Sequence, residues 1–344
     1  MKKTLALILA LSLSLALASC GNPNQPSNSG TTSTPAASTG TTSTTTPPAG
    51  GSGETVTLAT GGTSGTYYAY GGVMQTTLNP LLTTGQLNVT STGASSANIL
   101  EVADGNAQMS ILQSDVLSYA HSGTDLFTEA ETSSQWVAGL YNETVQIISA
   151  PGIKDVSELK GKTVCVGDVG SGTEVNARQV LEAYGMTTAD ITATNGSFGD
   201  AANDLKDGKI DAAFIVAGAP TTAIVDLATT KPVSLVSLDD EHIDALLKSS
   251  PYYYKCTIKA DVYGLESDTT TVAVGAVILA RDDVHADAIK ALCADIFDNA
   301  SSLVSSHAKY GELNLEYASS ITSVPYHAGA VEYFAEHNIT VAGK

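Results

Sequence analysis

Residues 162–176 read KTVCVGDVGSGTEVN: a β-branched run, a loop of small residues, then a helical pattern opening at Ser171, Gly172 and Thr173. A strand that feeds a Gly/Ser/Thr loop and a helix start gathers unpaired backbone N–H groups and hydroxyls around one point, where the helix dipole favours negative charge. Ser171 and Glu174 also have the spacing of a capping box. On its own this loop reads equally well as a well-capped helix or as an anion-binding device. A second loop sharpens the reading. VTLATGGTSGTYYAYGG repeats the arrangement, with a strand over 55–60, a loop over 61–66 and a helix opening on Tyr67 and Tyr68. Two such loops facing each other could hold a small anion through backbone and hydroxyl groups, with a tyrosine ring as a wall. Adjacent helical residues point about 100° apart, so only one of the two tyrosines can be that wall.

The elements that must position these loops alternate. Strand-like VTLAT, LNVTST (87–92) and AQMSILQ (107–113) are followed by helical patterns over 66–83, over 95–104 and through Ala120. The rhythm restarts after Pro151 with KTVCVG, helix 173–185, ITATNG, helix 199–207, DAAFIVAG, helix 220–229 and VSLVSL. Strands alternating with helices of this length predict parallel βαβ units. The fold expected is α/β, a two-lobe clamp resembling the type II periplasmic binding proteins, each lobe an open, mainly parallel sheet flanked by helices. VQIISA (145–150) and TTTVAVGAVILAR (269–281) provide two crossings, so a C-terminal part with helix 284–305 and segment 327–337 rejoins the first lobe. This predicts lobe I as 54–146 plus 275–344 and lobe II as 147–274. In open α/β sheets ligands bind beyond the carboxyl ends of strands, where both Gly/Ser/Thr loops fall.

The N-terminus has Met-Lys-Lys, an apolar stretch from Leu5 to Leu17, and Leu17-Ala18-Ser19-Cys20. This predicts a secretory signal over 1–19 with a bacterial lipobox, Cys20 becoming the lipidated terminus. Residues 20–53 are almost all Gly, Asn, Pro, Ser, Thr and Ala, which predicts a disordered tether. A coil of that length would let the folded part float about 30 Å from the membrane. Without Lys2 and Lys3 the 16 basic residues fall to 14 against 35 acidic, a formal charge of −21. Arg178 and Arg281 are the only arginines, and no basic cluster occurs, which excludes nucleic-acid binding. Cys165, Cys256 and Cys293 form no C-x-x-C pair and the six histidines are scattered, so neither a metal site nor a cofactor is predicted.

Several ordered blocks resemble the TAXI-type solute-binding proteins of TRAP transporters: ATGGTSGTYYAYGG, STGASSANI followed by ILQSDV, ISAPGIKDVSELKGKTVCVGDVGSGTEVNA, DLKDGKIDAAFIVAGAP and VPYHAGAVEYFAEH. The resemblance runs from about Val56 to Ile339. It implies an extracytoplasmic lipoprotein, anchored to the cell membrane, that captures a small organic anion between its lobes. The ligand it implies is a glutamate-like or glutamine-like amino acid or a dicarboxylate, delivered to an ion-gradient-driven TRAP permease. The ligand-binding positions it implies are Thr63, Tyr67 and Tyr68, then Thr92 and Ser95, and Gln113, Ser114 and Asp115 after the third strand. From the other lobe it implies Ser171, Gly172, Thr173 and Asn176, with Gly218 and Pro220 closing the cleft. Ser114 and Asp115 also fit a simple helix cap. His327 reads as a helix start in lobe I. The relatives that use an arginine to clamp a carboxylate bidentately set a contrast, because Arg178 lies a turn into its helix and Arg281 ends a strand.

Two rival classes stand against this reading. An enzyme would need a nucleophile elbow or phosphate loop, yet G-x-S-x-G, G-x-x-x-x-G-K-[ST] and G-x-G-x-x-G are all absent, so no catalysis is expected. A ligand-sensing or surface-adhesive lipoprotein using the same clamp remains the alternative.

Overall fold

The structure is a computed structural model that describes residues 55–82 and 85–344. The signal segment, Cys20 and the tether lie outside the described residues. The first part of the chain builds β1 (Thr55–Ala59), α1 (Thr66–Leu78), β2 (Gln86–Thr90), α2 (Ser95–Ala103), β3 (Met109–Gln113) and α3 (Ser114–Ser122). β1 pairs in parallel with both β2 and β3. After the long strand β4 (Ser134–Ser149) come β5 (Thr163–Cys165), α4 (Gly172–Ala183), β6 (Thr192–Thr194), α5 (Phe198–Asp207), β7 (Ala212–Ala217) and α6 (Thr222–Ala228). β5 in turn pairs in parallel with both β6 and β7. Then follow β8 (Ser234–Leu235), α7 (Asp240–Ser249), β9 (Tyr254–Ile258) and the second long strand, β10 (Thr269–Arg281). The chain finishes with α8 (Ala286–Asp298), α9 (Ala300–Leu303), α10 (Leu315–Ala318) and α11 (Ala328–Glu336).

The sheet order is β2-β1-β3-β10-β4-β7-β5-β6, with β8 on β4 and β9 on β10. Each half therefore has the same three-strand parallel set, joined to the other by β4 and β10, which run antiparallel to each other and to their neighbours. Each lobe thus has the mainly parallel set expected of it, and one mixed sheet is continuous through both lobes. The reason is strand length. At about 3.3 Å per residue, the strands of the two parallel sets are short, from three residues in β5 and β6 to six in β7, whereas β4 has 16 and β10 has 13. β4 pairs with β10 over Ser134–Thr144 and with β7 over Thr144–Ser149. Along β10, Thr269–Ala273 pair with β9 and Ala276–Ala280 with β3.

The core changes at the same place. One apolar cluster takes Tyr141 and Ala276, and a second takes Val145 and Val274. In the second half, Ala212, Phe214 and Val216 of β7 join that second cluster while Ala213, Ile215 and Ala217 join a third. Alternate residues of a strand face opposite ways, so this sheet is covered on both faces. That burial explains why DAAFIVAG is an unbroken apolar run. Helix starts follow their caps: Ser171, Ser197 and Asp239 accept from Glu174, Asp200 and His242 N–H, respectively. His327 caps α11 by accepting from Gly329 N–H at 3.2 Å, and its own N–H donates to Trp136 O. Cys165 and Cys293 are buried and Cys256 is half-buried, all three as free thiols.

No helix among the described residues is long and apolar enough to cross a membrane. Gly275 sits at the crossover with no room for a side chain: a Cβ there would stand 2.2 Å from the Tyr317 hydroxyl and 3.3 Å from Ser114 Oγ. Gly275→Ala is expected to destabilise the fold by about 1–3 kcal/mol, the usual cost of overpacking, read as a lower urea midpoint at unchanged m-value.

Candidate functional site

A cavity of about 220 Å³ opens between the two lobes, lined from loop 61–65 and α1, from α2 and β3, from Glu143 on β4, and from the loops before α4 and α5. It is smaller than the roughly 300–1,000 Å³ of drug-sized sites and suits a small ligand. Gly65 and Ala94, the residues before α1 and α2, offer no side-chain cap. Their first-turn N–H groups therefore have no acceptor within the helix. Ala94, on the cavity wall, has φ +68°, a strained region for a residue with a side chain. Thr92 holds that turn: its hydroxyl donates to Thr60 O at 2.9 Å and accepts from Ala94 N–H at 3.0 Å.

On the opposite wall Ser171 Oγ accepts from Glu174 N–H at 3.1 Å. The Glu174 carboxylate reaches back to Gly170 N–H at 2.7 Å rather than to the cap residue itself. A full capping box was expected. The shift arises because Ser171 N–H already donates to Asp168 O within the loop. Gly172 N–H and Thr173 N–H, the first in α4, have no intrahelical acceptor. Gly172 lies against Gln113 of the other lobe, so closely that a Cβ would fall 1.8 Å from Gln113 Oε1.

The structure brings Thr63, Tyr67, Ser95, Gln113, Ser171, Gly172 and Thr173 together on the cavity. The other seven candidates stand off it. Tyr68 is half-buried elsewhere on α1, since it points about 100° away from Tyr67. Thr92 is turned back into its loop, and Ser114 Oγ accepts from Gly275 N–H at 3.2 Å. Asp115 and Asn176 meet behind the cavity, Asn176 Nδ2 donating to Asp115 Oδ2 at 3.1 Å and to the Tyr253 hydroxyl at 2.6 Å. Gly218 O accepts from Thr66 Oγ1 at 3.0 Å, and Pro220, after a cis peptide, is exposed. Arg178 donates to both carboxylate oxygens of Asp125 at 2.8 and 2.6 Å, and Arg281 pairs with Asp283.

Sequence reasoning missed Glu143 and Asp168, the two acids on the cavity wall. Glu143 is 1% exposed, and the Tyr67 hydroxyl donates to its Oε2. Burial pushes its carboxyl up to about 8, against the lowering effect of that hydrogen bond. Burial also raises Asp168, and it raises Asp115 to about 6. Among the described residues no Lys, Arg or His lines the cavity, and none pairs with Glu143 in a salt bridge. No group of His, Cys, Asp and Glu among the described residues could hold a metal ion. One signal for Glu143 was available: it is the single charged residue in the strand sequence WVAGLYNETVQIIS.

Several contacts join the two halves of the chain around the cavity. Ser96 Oγ donates to Gly170 O, Ala223 N–H to Ser64 O at 3.2 Å, and Gln179 Nε2 to the Tyr119 hydroxyl at 3.1 Å. Together with Thr66–Gly218, Asn176–Asp115 and Arg178–Asp125 they ring the site.

Residues 58–337 match the model of the NMT1-like family, and the chain belongs to that family. A solved protein of Bordetella bronchiseptica RB50 is 16% identical, covering 82% of this chain and 89% of its own, with a TM-score of 0.51. The periplasmic aliphatic sulphonate binding protein SsuA of Escherichia coli is 15% identical, with 83% of each chain covered and a TM-score of 0.45. The alkanesulfonate-binding protein SsuA of Xanthomonas axonopodis pv. citri, bound to MOPS, is 12% identical, covering 83% of this chain and 91% of its own at 0.48.

Two outcomes follow from the geometry. Gly172→Ala should leave the fold within about 0.5 kcal/mol of wild type, as at an uncrowded surface once the lobes part. It should nonetheless weaken capture at least about tenfold, or 1.4 kcal/mol, in calorimetric titration, because its methyl meets Gln113 only on closure. The second concerns pH. Glu143 and Asp115 have folded pKa values above the usual carboxyl range, so between about 4.5 and 8 the folded state holds protons that the unfolded state has lost. Stability should therefore be fully present below pH 4.5 as far as Glu143 is concerned and fall as pH rises towards 8, by up to about 1.4 kcal/mol per pH unit per group. Glu143→Gln should flatten that slope in thermal melts between pH 5 and 8.

Proposed function

We propose that the protein is an extracytoplasmic solute-binding protein that captures a small carboxylate-bearing molecule between its lobes and delivers it to a membrane permease. Lobe I is taken as 54–146 plus 275–344 and lobe II as 147–274. The observation that carries this reading is the cavity between the lobes, lined from both by helix-start N–H groups and hydroxyls. Thr63, Tyr67, Ser95, Gln113, Ser171, Gly172 and Thr173 are the proposed contacts. The ligand's carboxylate would rest on the first turns of α1, α2 and α4, which supply several modest charge-assisted hydrogen bonds without a cationic clamp. Closure around it completes the site, as in other hinged clamps.

The sequence blocks around both Gly/Ser/Thr loops support the finer reading of a TAXI-type protein serving a TRAP permease, with a glutamate-like, glutamine-like or dicarboxylate ligand. Cys20 and the segment 20–53 would keep the clamp at the membrane, in reach of that partner. The test is thermal melting of residues 54–344 against amino acids, dicarboxylates, oxo acids and sugars. A ligand at 100 times its dissociation constant adds about 2.7 kcal/mol, which is the shift expected from one small carboxylate. No shift from cleanly folded, ligand-free protein would favour a sensing or adhesive role. Uptake by vesicles carrying the permease should follow an imposed ion gradient. Uptake that needs ATP instead would replace the TRAP assignment with an ABC-type one.

A further inference from the structure

Behind the cavity, an acid from one half of the chain meets an amide from the other. Asp115 stands in the first turn of α3 and Asn176 on α4, and both are fully buried. Asn176 Nδ2 donates to Asp115 Oδ2 at 3.1 Å, which leaves one oxygen on each group, Asp115 Oδ1 and Asn176 Oδ1, without a hydrogen-bond partner. A chain of donors fixes the direction of the amide. The Tyr253 hydroxyl donates to Gln179 Oε1 at 2.6 Å, so towards Asn176 it can only accept, and it does so from Nδ2 at 2.6 Å. Two orphaned acceptors in one buried pair are unfavourable, because each forfeits the hydrogen bond it makes in water. A single proton removes both deficits. Carried on Asp115 Oδ1, it donates to Asn176 Oδ1 and closes the two-bond ring that a carboxylic acid forms with a carboxamide.

We infer that the Asp115–Asn176 pair is a proton-operated latch: a proton taken up by Asp115 joins α3 to α4, so that closure of the cleft, and solute capture with it, draws a proton from solution. The link to a solute rests on the solute-capture reading, whereas the latch rests on the pair alone.

The surroundings of Asp115 favour the proton. Burial is the largest influence and raises its carboxyl to about 6, with the hydrogen bonds from Asn176 and from backbone N–H groups only partly opposing it. The other titratable groups facing it are Tyr119 of its own helix, Asp125 after α3, Glu143 on β4 and Tyr253 before β9. Arg178 of α4 faces Tyr253 but is held by Asp125, and among the described residues no cation pairs with Asp115. Opening takes Asn176 and Tyr253 away, and a solvated aspartate returns towards about 3.9. The pKa is thus higher in the closed form, so closure takes up a proton between about pH 4 and pH 6 and is favoured as pH falls through that window. Two such values give about tenfold tighter capture at pH 5 than at pH 7. Glu143, raised to about 8, stays largely protonated over that interval and contributes little to it.

Calorimetric titration of the mature chain with L-glutamate, L-glutamine, 2-oxoglutarate and succinate, at pH 5 and pH 7, tests the link to capture. Asp115→Asn replaces the acid by an amide that forms the same ring without titrating. For any of the four that binds, the ratio of wild-type to variant affinity cancels the solute's own ionisation. It should be near one at pH 5 and about one tenth at pH 7. A ratio that does not change between the two pH values, or that rises with pH, overturns the latch. The carboxyl-carbon NMR resonance of Asp115 in solute-free wild type reads the same pair directly and stands even if Asp115→Asn does not fold. Its midpoint should lie above the ordinary aspartate range and drop by at least about half a pH unit in Asn176→Ala, which leaves the proton no acceptor. A wild-type midpoint near 3.9, or one that Asn176→Ala leaves in place, sinks the latch whatever the solute. No heat from any of the four removes the capture of these carboxylates, and the resonance then decides the latch by itself.

Discussion

The antiparallel pairing of β4 with β10 is the constraint on which the rest of the structure depends. Both strands run through the two lobes, and their buried backbone groups must stay hydrogen-bonded along the whole length. Bulges at Ala276/Val277 and Ile278/Leu279 accommodate the change of partners. Because each parallel set attaches to one of these strands, the two Gly/Ser/Thr loops have no independent freedom of placement. They face each other across the crossover, and the residue that points into the cleft from the crossover is Glu143.

That placement explains an electrostatic pattern that composition alone does not. The chain is strongly acidic, yet its cavity is built to favour negative charge at one end through dipoles rather than cations. Glu143 responds by holding a proton instead of repelling the ligand, because burial disfavours its charged form, and burial raises Asp168 as well. Lys309, buried near the crossover, is already committed to Glu312 at 2.5 Å. Arg178 is committed to Asp125 on the rim. Neither of these cations is therefore free to meet the ligand, which leaves recognition to neutral donors.

The cross-lobe contacts divide into two kinds. Arg178–Asp125 and Gln179–Tyr119 are partly exposed and individually worth little. Asp115–Asn176–Tyr253 is fully buried, with Asp115 Oδ1 and Asn176 Oδ1 lacking partners. A buried network that is incompletely satisfied is a weak latch, as a hinge needs if ligand is to decide the balance between open and closed forms.

The sequence by itself determined the local units. The β1–α1 and β5–α4 loops, the restart of the βα rhythm after Pro151, and the apolar run of β7 follow from residue type and spacing, which act over a few residues. Thr63, Tyr67, Ser95, Gln113, Ser171, Gly172 and Thr173 came from the family resemblance of those blocks. Whether Thr92 turns into its own loop, or Ser114 towards Gly275, depends on neighbours brought from elsewhere in the chain. β4 was legible only as VQIISA, because Gly139, Asn142 and Glu143 interrupt its apolar pattern, so the crossover and its acid stayed hidden. Only the tertiary structure decided that one sheet spans both lobes and that Glu143 lies against Tyr67 and Gln113. Those contacts join residues separated by 76 positions in the case of Tyr67 and Glu143, and no local preference encodes a meeting at that range.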